Sequence, residues 1–118
     1  MKVSIIGATG YTGAELVRLI AGHPEAEIVH ITSESYTDQR ISEVYPHLAG
    51  LCEKRLESLE ELEYIGADSD FIFIALPAGH AMEIGRKLAE QPVRIIDLGA
   101  DYRFRDTAVY EAWYKVKH

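Results

Sequence analysis

Three glycines, Gly7, Gly10 and Gly13, follow the apolar run Val3 to Ile6 at three-residue spacing and open a helical pattern. Residues of this type in this order suit the capture of a diphosphate. Gly7 lets the chain turn sharply off a strand, Gly10 lets backbone N–H groups approach the ligand, and Gly13 lets the new helix pack closely. The negative charge would rest on unpaired N–H groups at the positive end of that helix. Glycines alone can mark an ordinary tight connection. The strand before them, the helix after them and a further apolar run about 20 residues on supply the context of a dinucleotide fingerprint.

The end of that further run, Thr32-Ser-Glu-Ser35, bears on which dinucleotide fits. Glu34 stands where an acidic side chain can hold the ribose 2′-hydroxyl of NAD and repel the extra phosphate of NADP. Ser33 and Ser35 can instead donate to a phosphate, and Arg40 on the following loop can neutralise it. From the residues alone the balance leans toward NAD, with NADP open.

Ligands in open parallel sheets gather beyond the carboxyl ends of strands, so two other segments matter: Leu76-Pro-Ala-Gly-His80 and Asp97-Leu-Gly-Ala-Asp-Tyr-Arg103. Pro77 and Gly79 can shape a loop that passes near a ligand, and Arg103 offers a cationic fork for phosphate or carboxylate. His80 is the histidine placed at this edge, more readily an exposed loop residue than a proton carrier. His23, His30, His47, His80 and His118 lack metal-ligand spacing, so no metal site is expected. Cys52 has no helix start or basic cluster beside it to activate a thiolate, which argues against a nucleophile.

The elements that must carry these residues follow from periodicity. Val3 to Ile6, Ile28 to Ile31, Phe71 to Leu76 and Val93 to Leu98 are short, nearly continuous apolar runs, the mark of strands covered on both faces. Helices are expected over Tyr11 to Ala21, Ser58 to Ile65 with a capping box of Ser58 and Glu61, Gly79 to Glu90, and Asp106 to Lys115. The last places Val109, Ala112, Trp113 and Val116 on one stripe. Thr37 to Glu57 reads as a polar functional loop holding a short turn around Ile41 to Tyr45. The fold class is α/β: a doubly wound, Rossmann-type, mostly parallel sheet with helices on both faces.

A chain of 118 residues makes one domain, residues 1–118, able to fold without disulfide or metal. The net charge of −7 disfavours nucleic acid and anionic lipid, and no run is long enough to span a bilayer. A single cysteine fits a reducing compartment, with cytoplasm the expectation.

Together these motifs resemble the amino-terminal part of the N-acetyl-gamma-glutamyl-phosphate reductase family, which is related to aspartate-semialdehyde dehydrogenase. The resemblance rests on Ile6-Gly-Ala-Thr-Gly-Tyr-Thr-Gly-Ala-Glu-Leu-Val-Arg18, His23-Pro24, Ile41-Ser-Glu-Val-Tyr-Pro-His-Leu48, Ala75-Leu-Pro-Ala-Gly-His80, the Asp97 to Arg103 segment and Tyr110-Glu-Ala-Trp-Tyr114. It implies reductive dephosphorylation of an acyl phosphate in arginine biosynthesis. A cysteine displaces phosphate and NADPH reduces the resulting thioester to the semialdehyde. That cysteine lies in a Gly-Cys-Tyr-Pro motif beyond the region matched here, and a histidine acting with it lies further on. The resemblance thus implies the NAD(P)-binding domain of a longer, homo-oligomeric enzyme, with no catalytic residue in this chain and no activity by itself.

Carried over by position, Gly7, Thr9, Gly10, Tyr11, Thr12 and Gly13 would hold the pyrophosphate, Ser33 would lie near the adenosine ribose, and Pro77, Ala78 and Gly79 would line the nicotinamide side. Arg103 matches an arginine that contacts substrate phosphate. Glu34 departs from the arginine that similar members often carry, so NADP is expected with NAD also possible. A stand-alone module sensing nicotinamide nucleotides and a domain for another anion are the competing readings. Exposed apolar residues around Trp113 would make the isolated piece self-associate.

Overall fold

Apolar runs of four to six residues are too short to bury themselves as helices, and here each supplies a parallel strand between helical crossovers. The computed structural model describes residues 1–102 and 105–114. In chain order these form β1 (Lys2–Ile6), α1 (Tyr11–Ala21), β2 (Glu27–Ile31), α2 (Ile41–Val44), 3₁₀ turns at Pro46–Leu48 and Leu59–Glu61, α3 (Leu62–Ala67), β3 (Phe71–Ile74), α4 (Ala81–Leu88), β4 (Arg94–Asp97) and α5 (Thr107–Tyr114). The sheet runs β2-β1-β3-β4. All its pairings are parallel, with Ile6 opposite Ile74 and Ile74 opposite Asp97. The chain moves from β1 to one side for β2 and to the other for β3. The order therefore reverses between β1 and β3, and a crevice opens beyond their carboxyl ends.

Two apolar layers hold this frame. On one face Ile5 packs with Val17 of α1 and with Ile28 and Ile31 of β2. On the other, Ile6, Ile72 and Ile74 pack against Ile65 of α3 and Ile84 and Leu88 of α4. Truncating a fully buried one of these isoleucines, Ile5, Ile6, Ile31, Ile65, Ile72 or Ile74, to alanine removes about 2–5 kcal/mol.

The polar segment from Thr37 to Glu57 is the main departure from expectation. It holds the expected short turn as α2, but it is a core plug: Ile41, Leu48, Cys52 and Leu56 are buried in the first layer. Bridges from Thr32 to Glu57 and from Arg40 to Arg55 pin its ends. Scattered apolar residues among polar ones follow no single period, which hid their burial.

Element ends shift for local reasons. Helix α4 begins at Ala81 rather than Gly79, because Gly79 sits at φ +94°, outside helical space. The Ser58 hydroxyl accepts from the Glu60 N–H at 3.1 Å instead of closing a box with Glu61, and the first turn is 3₁₀. Strands β3 and β4 stop at Ile74 and Asp97, short of Leu76 and Leu98. In α5, Val109 and Trp113 are exposed, the latter by 76%. Val116 lies outside the described residues.

Candidate nucleotide-binding groove

The glycines at the start of α1 are held by different constraints. Gly7 has φ +85°, and a Cβ there would stand 2.4 Å from the Ala75 carbonyl oxygen. A Cβ on Gly13 would stand 2.0 Å from the Gly7 carbonyl oxygen. Both positions are closed by the protein's own backbone. Around a Cβ on Gly10 the nearest atom is the Gly7 carbonyl oxygen at 3.8 Å, so the fold leaves that space empty.

Helix α1 also starts without an anion of its own. Gly10 is its N-cap, no side chain caps it from that position, and its first turn contains no acidic residue. The ladder of helical hydrogen bonds opens with Ala14 N–H donating to the Gly10 carbonyl at 2.9 Å. The N–H groups of Tyr11, Thr12 and Gly13 precede that bond and point out of the helix end.

A groove of about 780 Å³ runs past this turn. Its walls are the glycine turn, the β2 end, the β3–α4 loop and the exposed side of α4. The β2 end is tied to the turn through Ser33. Its hydroxyl lies 2.8 Å from the Thr9 hydroxyl and accepts the Tyr36 N–H at 3.2 Å. The Thr32 hydroxyl accepts the Gly7 N–H at 3.2 Å, and Tyr45 donates to the Thr9 carbonyl at 2.6 Å. Ser33 is therefore a buried brace of the turn. The exposed Glu34 carboxylate stands at the groove beside it.

Of the residues singled out from sequence, Gly7, Thr9, Gly10, Ser33, Glu34, Pro77 and Gly79 converge on this groove. Tyr11 and Thr12 line a neighbouring hollow with Leu19 and Leu98, and only their main-chain N–H groups belong to the helix end. Gly13 is buried within α1, and Ala78 is half-buried and does not line the groove. Arg40 is exposed and does not line the groove. Its charge instead adds to the hydrogen bonds from Ser42 and the Gly50 N–H that hold the Glu53 carboxyl below the usual range. Arg103 lies outside the described residues. His80 lines the groove and is exposed, whereas Cys52 is buried in the core away from it.

Asp101 has a role that sequence reasoning missed. It is 1% exposed. One carboxylate oxygen accepts the Gly79 N–H at 2.7 Å and the other accepts the Met82 N–H at 3.0 Å. The adjacent Tyr102 donates its hydroxyl to the Met82 carbonyl at 2.6 Å. The sequence pattern alone, an aspartate in a strand-end loop, does not reveal which amides it will meet.

Family comparison agrees with this architecture. The family model described as "Semialdehyde dehydrogenase, NAD binding domain" matches residues 2–112. The chain belongs to the semialdehyde dehydrogenase NAD-binding domain family. Within it, a protein of Pelotomaculum thermopropionicum named N-acetyl-gamma-glutamyl-phosphate reductase is 52% identical over 118 residues, all of this chain and 34% of that protein. A namesake from Desulforamulus reducens is 48% identical over the same span, again 34% of its length. The chain thus spans about a third of the length of the curated relatives it matches. The crystal structure of aspartate semialdehyde dehydrogenase with NADP from Candida albicans shares the fold. Its TM-score is 0.75 at 20% identity, covering 90% of this chain and 31% of that one. Among the described residues, no helix of this semialdehyde dehydrogenase domain is long and apolar enough to cross a membrane.

Proposed function

We propose that this chain is the cofactor-binding domain of an N-acetyl-gamma-glutamyl-phosphate reductase, and that the groove over the α1 start takes a nicotinamide dinucleotide. The observation that carries the reading is the contrast among the glycines. Gly7 and Gly13 are required by the fold, whereas Gly10 has room for a side chain and lacks one. An incoming diphosphate supplies the reason, since its approach to the N–H groups of the first turn needs that space.

When bound, the dinucleotide supplies hydride for reducing an acyl group. The residues of this chain bind and orient it. The α1 amides hold the diphosphate, Ser33 keeps the turn in shape through Thr9, and Pro77 and Gly79 form the wall for the nicotinamide. The buried Cys52 offers no nucleophile at the groove, so displacement of phosphate is assigned to a part of the enzyme outside this chain. The isolated chain then binds cofactor without reducing substrate. Arg103 would meet the substrate phosphate, and the full enzyme would act as a cytoplasmic homo-oligomer. Reductive biosynthesis points to NADP. Glu34 at the groove and Arg40 away from it weaken the 2′-phosphate subsite, so NADP binds here with little advantage over NAD.

Gly10→Thr tests the reading, because threonine keeps a residue able to cap α1 while filling the open space. Calorimetric titration with NADP and NAD is expected to show at least about a hundredfold weaker binding, a loss on the scale of 2.7 kcal/mol. Thermal stability stays near that of the parent. Unchanged affinity would refute the assignment.

A further inference from the structure

We infer that Asp101 is the positioning residue for the nicotinamide side of the groove, an inference that rests on the proposed dinucleotide reading. The loop from Pro77 to His80 forms that wall, and a loop on a positive-φ glycine would otherwise have several conformations open to it. Asp101 reaches it from beyond β4, and its two oxygens hold an amide on each side of the loop's exit into α4. Charge-assisted bonds donated to a buried carboxylate are strong, and losing one leaves a buried donor unpaired. Tyr102 adds a third tie to the same turn through the Met82 carbonyl. The clasp also fills the positive end of α4 with a protein carboxylate. The wall is thereby closed to a phosphate and left for the nicotinamide ring, which carries no negative charge in either redox state, lying against Pro77 and Gly79.

A cap that merely stabilised α4 would lower stability without distinguishing one half of a ligand from the other. A positioning residue makes a narrower demand. Asp101→Asn keeps the size and one acceptor but cannot accept from both amides. Calorimetric titration of the parent and this variant with NADP and with ADP-ribose bearing the same 2′-phosphate, which lacks only the nicotinamide, separates the cases. The variant is expected to lose about tenfold in affinity for NADP and to keep ADP-ribose binding within about twofold. Equal loss for both ligands, or no loss for either, overturns the inference. A parent chain that binds neither ligand overturns the groove reading itself, and this inference with it. If the variant does not fold, hydrogen exchange on the unaltered chain decides. Protection of the Gly79 and Met82 amides is expected to rise with NADP and not with ADP-ribose, and an equal rise with both contradicts the assignment.

Discussion

Helices α1 and α4 begin at the same edge of the same parallel sheet, each directly after a central strand, yet their starts are occupied in opposite ways. Helix α1 opens on Gly10 with no acidic residue in its first turn and space where a side chain would be. Helix α4 opens with Met82 N–H and the preceding Gly79 N–H already bound by the buried Asp101 carboxylate, and Glu83 adds another acid to its first turn. Both starts carry the same partial positive charge from the helix dipole. The fold therefore produces two helix starts of like polarity, and the chain's own chemistry fills one; in the proposed reading the other takes the ligand. In the proposed reading this difference lets one groove take a diphosphate at one end and a ring without negative charge at the other.

The contrast can be broken by giving α1 what α4 has. Thr12→Asp places a carboxylate in the first turn of α1, where it competes for the same amides. Affinity for NADP is expected to fall at least about tenfold in calorimetric titration. Helix stability is expected to rise by about 0.3–1 kcal/mol in thermal unfolding, because the new charge complements the dipole. Unchanged affinity would mean that the diphosphate lies elsewhere. A smaller effect sharpens the far end of the same groove. Glu34→Gln removes the carboxylate that lines the groove at the β2 end, and the NADP-to-NAD affinity ratio is expected to rise by about threefold, a modest value because the group is exposed. An unmoved ratio would remove Glu34 from the specificity determinants.

Much of this arrangement was legible in the residues. Continuous apolar runs announced parallel strands covered on both faces, and the end of β1 at Ile6 and both ends of α1 emerged as expected because glycine, helix pattern, Gly22 and Pro24 all agree there. The turn at Gly7 and the close packing at Gly13 were likewise readable, although the backbone that closes Gly7 belongs to Ala75, far along the chain. What stayed hidden depends on contacts between distant segments. Ile41, Leu48 and Leu56 read as stray apolar residues in a polar loop until the sheet they cover is in place. Arg40 and Glu34 lie close in sequence, but the pinned ends of that plug keep Arg40 off the groove. Asp101 meets its amides across 22 and 19 residues of chain, a pairing that no local pattern encodes.

In the proposed reading the open start of α1, and not the filled start of α4, receives the diphosphate. Amide chemical shifts of the isotope-labelled chain during titration with NADP test this most directly. The largest changes are expected at Gly10 through Gly13, with smaller ones at Gly79 and Met82. Shifts concentrated at Gly79 to Met82 while Gly10 to Gly13 stay still would contradict it.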